Sequence, residues 1–404
     1  MSQSDLATPD VMTANLTAPD IEHCLSFLIE ADALKSVLRA NQLMDRTRFE
    51  NSAEHSWHAA LAALIYAPLA GADVDIARAI EMLIVHDLVE IDAGDHPIHI
   101  SHDPASVRAL EDAAADRLFG LLPAEIGTRL RSTWEAFEAM DSPTALYAKS
   151  IDFLTPALQS IGAPEQLDEE RAIVEANLRQ GRASRIAPNL PALFEFTLAS
   201  FEGRATDPVM QARFDFWCEA DRLKTVLRAT PIMDGSRPEN SGEHSWHVAL
   251  WALTFAPLAE KNVDIARVIS MLLLHDIVEV DAGDHPIHGH VTPEALAAQD
   301  AAEQAAADRL FGLLPEGEGA ALRAIWEEFE AAETPAAIFG KSIDRAQPVL
   351  HNLVNDGGSW RVYSVTLAQI DTRVGVKVAR GAPALWPVIR ERITPWFAAN
   401  ALAD

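Results

Sequence analysis

Apolar residues along this chain recur at steps of three and four and hardly ever alternate. Ile80, Leu83, Ile84, Leu88 and Ile91 form one such stripe, which predicts a helix from about Asp75 to just before Gly94. Ahead of it, Asn51-Ser-Ala-Glu54 places a short polar cap three residues before a glutamate, a capping-box start. The Ala/Leu-rich segment that follows runs to Ala67-Pro68, where proline closes the pattern. Stretches 105–120, 124–139, 143–160, 166–179 and 190–203 also read as amphipathic helices. No stretch reads as a convincing strand, so an all-α fold is expected.

The pattern is written twice. ENSAEHSWH at 50–58 returns as ENSGEHSWH at 239–247, and the block at 74–99 returns at 263–288. RLFGLLP recurs at 117 and 309, KSID at 149 and 341, and PAL at 191 and 383. His244 stands 189 residues after His55, and Lys341 stands 192 after Lys149, so three residues are gained between the blocks. A repeat this long is a duplicated domain and not a solenoid unit. Two tandem helical bundles, 20–203 and 208–404, are therefore expected, related by a pseudo-twofold axis. Gly203-Arg-Ala-Thr-Asp-Pro208 has linker chemistry, and residues 1–19, rich in Ser, Thr, Asp and Pro, read as a flexible arm.

Charge narrows the partners. Lys plus Arg is 32 against 60 for Asp plus Glu, a formal net charge of −28. That field disfavours a nucleic-acid polymer or an anionic membrane. A small phosphorylated substrate stays open, because a local ion and a few arginines outweigh distant charge. The two cysteines, Cys24 and Cys218, make no disulfide framework. There is no leader-like N-terminus and no apolar run of membrane-spanning length, so a cytoplasmic protein is expected.

The chemistry centres on His86-Asp87 with Glu90, repeated as His275-Asp276 with Glu279. On a regular helix Glu90 shares a face with both residues before it. Such groups in an apolar helix need partners, because unpaired buried charge is costly. A metal ion would satisfy them together; a buried ion pair is the plainer alternative. The Glu54-His55 stretch offers a third group, and Lys149-Ser-Ile-Asp152 a fourth. A structural first-turn histidine and an ordinary helix aspartate are the plainer readings of these two.

The order His … His-Asp … Asp resembles the HD superfamily of metal-dependent phosphohydrolases. LKSVLR at 34–39, ENSAEHSW, the HDLVE-to-GD block and the late KSID are similar to the branch that includes bacterial 5′-deoxynucleotidases. The resemblance implies one divalent ion per domain, held by His55, His86, Asp87 and Asp152 and by His244, His275, Asp276 and Asp344. Mixed nitrogen and oxygen donors suit Mn, Co, Fe, Ni or Zn. It implies hydrolysis of a small phosphomonoester, a (deoxy)nucleoside 5′-monophosphate above all. Glu90 and Glu279 match the acidic helper of the attacking water, Asp95 and Asp284 a second acidic position, and Arg39 and Arg228 an arginine near the phosphate.

Other residues are read more plainly. Glu54 and Glu243 are expected to cap, and Trp57 and Trp246 to be core. His58 and His247 are expected in a supporting or surface place. His96, His99, His285 and His288 follow Gly-Asp directly; they could touch substrate or recruit a second ion, which keeps a di-iron oxygenase as the alternative chemistry. Arg345 follows the last aspartate of the second copy, where the first has Phe153 and the family usually has a basic residue. One catalytic copy beside one structural or regulatory copy is the third possibility. The assembly is then an internal pseudo-dimer, alone or as a homodimer.

Overall fold

The structure, a computed structural model, describes residues 16–96, 100, 103–165, 168–285 and 292–400. Each half opens on a helix, Ala18–Ala31 or Pro208–Asp221, the first capped by a Thr17/Asp20 capping box. Single turns then lead into a two-stranded antiparallel hairpin, Leu38–Gln42 with Phe49–Asn51, repeated as Leu227–Pro231 with Pro238–Asn240. The strand-free expectation is therefore corrected. Leu38 is 61% exposed and Phe49 48% exposed, so the hairpin buries no apolar face and writes no period-two signal. Its use is positional, since it carries Arg39 and Glu50 inward.

Helix Ser52–Ile65 starts at the expected cap. Asn51 accepts from the Glu54 N–H, and Glu54 accepts from the Asn51 N–H. Apart from Leu64 it is buried all round, as a helix at the centre of a molecule must be. It packs on Ile76–Val85 of its own half and on Ser241–Thr254 of the other.

The helix expected from Asp75 to Gly94 is not continuous. It runs Ile76–Val85, tightens over 86–89, and resumes as Glu90–Ala93. Leu88 N–H bonds Val85 O at 3.2 Å, Glu90 N–H bonds Asp87 O at 2.9 Å, and Ile91 N–H bonds Leu88 O at 3.2 Å, the tighter 3₁₀ spacing. His86 keeps helical dihedrals (φ −62°, ψ −39°), which is why periodicity did not reveal the break. Gly94 ends the segment at φ 78°, a left-handed turn suited to glycine. The second half repeats this with Ile265–Leu274, Glu279–Ala282 and Gly283 at φ 77°.

The remaining predicted helices appear as Pro104–Phe119, Ala124–Ala139, Pro143–Gly162, Asp168–Gln180 and Pro191–Phe201. Their first three partners in the second half are Pro293–Phe311, Glu316–Ala331 and Pro335–Val354. After that the halves differ: short turns around Gly358–Val362 and Val376–Gly381 lead to the closing helix Leu385–Asn400.

The halves meet through contacts that come in matched pairs. Trp57 Nε1 donates to Leu273 O at 3.1 Å, and Trp246 Nε1 to Ile84 O at 2.9 Å. Asn51 donates to Glu243 at 2.6 Å, and Asn240 to Glu54 at 3.0 Å. Arg48 reaches Lys224 O at 2.8 Å, and Arg237 reaches Lys35 O at 2.7 Å. Reciprocal pairing of this kind is what a twofold relation between like domains produces. One continuous apolar core spans both halves. Among the described residues no helix is long and apolar enough to cross a membrane.

Candidate metal centres

Three separate helical stretches of the first half converge on one point. Helix Ser52–Ile65 supplies His55, the tight turn after Val85 supplies His86, and helix Pro143–Gly162 supplies Asp152, with donor atoms all within 4.8 Å of one another; Asp87 stands beside His86 outside that set, as Asp276 does beside His275. His55 Nε2 lies 3.1 Å from Asp152 Oδ1, and His86 Nε2 lies 3.6 Å from the same oxygen and 3.0 Å from Asp87 Oδ1. In the second half His244 Nε2 is 3.2 Å from Asp344 Oδ1, and His275 Nε2 is 3.1 Å from Asp276 Oδ1 and 3.9 Å from Asp344 Oδ1.

The donor set fits a metal ion on a specific ground. His86 Nδ1 lies 2.8 Å from the Leu83 carbonyl, which can only accept, so the proton sits on Nδ1. With the ring neutral, as a metal ligand must be, Nε2 presents a lone pair, buried and without a hydrogen-bond partner, toward two carboxylates. His275 repeats this, with Nδ1 2.9 Å from Leu272 O and Nε2 unpartnered. Lone pairs facing carboxylates repel unless a cation lies among them. The aspartates call for the same charge. Burial opposes it, yet positive charge at the positions of His55 and His86 holds Asp152 well below the usual carboxylate range, and Arg345 with positive charge at His244 does so for Asp344, so both aspartates favour a cation at that point.

Acidic groups stand around each point. Burial and then Asp87 raise Glu90 well above the carboxylate range, and burial and Asp276 do the same for Glu279. Ser52 Oγ donates to Glu90 Oε2 at 2.5 Å, and Ser241 Oγ to Glu279 Oε2 at 2.6 Å. Burial likewise raises Asp95 and Asp284, against the pull of Arg39 and Arg228. Arg39 Nη1 donates to Asp87 Oδ2 at 2.8 Å, and Arg228 Nη1 to Asp276 Oδ2 at 2.6 Å. A cavity of about 410 Å³ opens on the second site, lined by Arg228, His275, Asp276, Glu279, Asp284 and Arg345 among others.

Glu54 and Glu243 cap as expected, and Trp57 and Trp246 are core. His58 and His247 are fully buried between the halves, so a surface place is excluded. His96 and His285 lie outside the clusters of possible metal donors found among the described residues, although His285 lines the second cavity. His99 and His288 fall outside the described residues. Two residues escaped the sequence reading: Glu50 Oε2 lies 3.5 Å from His55 Nδ1, and Glu239 Oε2 lies 3.4 Å from His244 Nδ1. Their signal was present, because each opens a repeated ENS block just outside the helix it precedes.

The HD domain family matches residues 31–194 and again 220–386, most of the chain. This chain belongs to the HD-domain family. The duplication thus holds two copies of one family unit. Among its relatives is the 5′-deoxynucleotidase HDDC2 of Homo sapiens, 26% identical over 153 residues that make 38% of this chain and 70% of that protein. The 5′-deoxynucleotidase YfbR of Escherichia coli is 32% identical over 106 residues, 25% of this chain and 53% of its own length. A solved structure described as a predicted metal-dependent phosphohydrolase from Magnetospirillum magnetotacticum is 41% identical and covers 49% of this chain and 100% of its own, with a TM-score of 0.45.

Proposed function

We propose that the chain is a metal-dependent phosphohydrolase with two sites, one in each of the domains 20–203 and 208–404. His55, His86, Asp87 and Asp152 hold a divalent transition-metal ion in the first, and His244, His275, Asp276 and Asp344 hold one in the second. The observation that carries this is the buried, unpartnered Nε2 of His86 and of His275, each facing aspartate oxygens. The substrate class we assign is a (deoxy)nucleoside 5′-monophosphate, on the family membership and on relatives named as 5′-deoxynucleotidases.

When bound, the ion supplies Lewis-acid charge for a phosphoryl oxygen and lowers the pKa of a water. The chain's own groups do the rest. Ser52 holds one oxygen of Glu90, which leaves Oε1 to take a proton from water. Burial and then Asp87 raise the proton affinity of that carboxylate, the direction that makes it a stronger base. Glu279 and Ser241 repeat the pair. Arg39 and Arg228 orient Asp87 and Asp276, and their planar forks add positive charge where a phosphate would sit. Asp95 and Asp284 flank the same arginines as the second acidic groups.

The test is phosphate release from a panel of nucleoside 5′- and 3′-monophosphates and sugar phosphates, with Mn²⁺, Co²⁺, Fe²⁺, Ni²⁺ and Zn²⁺ in turn. Turnover of 5′-monophosphates that a chelator abolishes is expected. Absence of turnover on every phosphomonoester with every ion would sink the proposal.

The sites are not equal in charge. Arg345 Nε lies 3.6 Å from Asp344 Oδ2 at the second cavity, and Phe153 stands in its place in the first half. A charge-assisted contact to phosphate contributes roughly 1.5–3 kcal/mol, or about 10- to 100-fold in rate. Arg345→Phe is therefore expected to lower kcat/KM of the second site by that factor, measured with the first site silenced by Asp87→Ala. An unchanged kcat/KM would remove Arg345 from substrate binding.

A further inference from the structure

One candidate metal histidine in each half, His55 or His244, is backed by a carboxylate, and each carboxylate is held by a lysine from the other half. Glu50 Oε2 faces His55 Nδ1 at 3.5 Å, and its Oε1 accepts from Lys224 Nζ at 2.7 Å. Lys224 belongs to the second half. In the mirror arrangement Glu239 Oε2 faces His244 Nδ1 at 3.4 Å, and Oε1 accepts from Lys35 Nζ at 2.7 Å. Lys35 belongs to the first half. All four of these charged residues are buried, and both lysines are fully so.

The lysines are locked in place. An ammonium has three N–H donors, and Lys224 spends them on Glu50, on Asp221 at 2.5 Å and on His58 Nδ1 at 2.9 Å. His58 can accept there because its Nε2 donates to Trp217 O at 3.0 Å. Burial and the neighbouring ammonium hold that imidazole well below its ordinary value, so it stays neutral. Lys35 likewise bonds Glu239, Asp32 and, at 3.2 Å, His247 Nδ1. Asp32, Glu239, His247 and His351 have the donor chemistry of a third metal cluster. The Lys35 ammonium already sits among them, so it is their cation.

We propose that Lys224 and Lys35 are positioning residues for the metal site of the opposite half. Lys224 fixes Glu50 beside His55 Nδ1 at 3.5 Å, where the carboxylate charge favours a proton on Nδ1 and leaves the Nε2 lone pair for the ion. Lys35 does the same for His244 through Glu239. A partner carboxylate that orients a ligating histidine typically contributes 10- to 100-fold in metal affinity. Each site is thus incomplete without the other half. Glu239 has a second donor, Gln347 Nε2 at 2.8 Å; the corresponding position in the first half is Thr155, which bonds Ile151 O instead. The first site therefore leans harder on its lysine.

This rests on the metal-site reading above, and the test separates the two. In the full chain, Asp276→Ala leaves only the first site and Asp87→Ala only the second. Co²⁺ is titrated into each, followed by its visible absorption and by chelator competition. With Asp276→Ala, adding Lys224→Met is expected to weaken Co²⁺ binding 10- to 100-fold and alter the band, while adding Lys35→Met changes it less than about twofold. With Asp87→Ala the roles reverse. A lysine that only stabilises the shared interface would act equally on both sites, and that result overturns the proposal, as does no effect at all. If a lysine variant does not fold, Glu50→Gln and Glu239→Gln break the same relays with isosteric side chains. Unchanged Co²⁺ affinity at His55 and His244, respectively, then overturns it. If the single-site parents bind no Co²⁺, the metal assignment itself has failed.

Discussion

Asp276→Ala is expected to remove the ion from the second site and to cut the turnover of that site by about 10³-fold or more. Asp276 does two jobs there. Its Oδ1 lies 3.1 Å from His275 Nε2, and its Oδ2 accepts from Arg228 at 2.6 Å. Removing it takes away one donor for the ion and frees the arginine from its orienting partner. Burial opposes ionisation of this carboxylate, but His275 and then Arg228 hold it below the usual range, so it offers a charged ligand at any working pH. The readouts are metal content after dialysis and kcat/KM with the first site silenced by Asp87→Ala. The double variant should retain neither ion. An Asp276→Ala protein that keeps both ions and full turnover would place the chemistry elsewhere. Asp276 also pairs with the nearly buried Arg228, so denaturant unfolding of the variant is measured alongside, to separate loss of the ion from loss of stability.

The helices and the duplication were legible because burial writes its period into the sequence. Ile80, Leu83 and Ile84 face the core as their spacing required, and Asn51 with Glu54 formed the predicted capping box. His55, His86 and Asp152 come from well-separated stretches, and the structure brings them together. Residue order alone would not have done so; resemblance to a family supplied the fourth group. What stayed hidden has a common physical character. The hairpin carrying Arg39 buries no apolar stripe, so alternation was absent. The break after Val85 begins with helical dihedrals at His86 and tightens to ψ −21° by Val89, a small backbone change that no side-chain pattern reports. Glu50, Lys224 and His58 are buried polar residues whose partners lie in the other repeat. Their pairing depends on how two domains dock, and local sequence carries no record of that.

Docking also reaches the histidine-aspartate turn itself, and Trp246 measures how strongly. In the tightened turn Leu88 N–H bonds Val85 O. The Ile84 carbonyl instead accepts from Trp246 Nε1 of the second half at 2.9 Å. Ile84 stands two residues before His86, so the second half's tryptophan supports the backbone break that presents the first half's metal ligands. Trp57 repays this at Leu273, two residues before His275. Trp246 is fully buried. Trp246→Ala should therefore destabilise the chain by about 3–5 kcal/mol, through lost transfer energy and the cavity left behind. Trp246→Phe keeps most of the ring and removes the N–H, so the exposed term is the unsatisfied carbonyl, about 1–3 kcal/mol. Denaturant unfolding measures both. Metal affinity tells more: with the ring largely kept, Trp246→Phe should weaken the first site and spare the second, although Trp246 lies on the same helix as His244 of the second. If it weakens the second site instead, the contact acts through its own helix, and the halves are neighbours rather than parts of each other's sites.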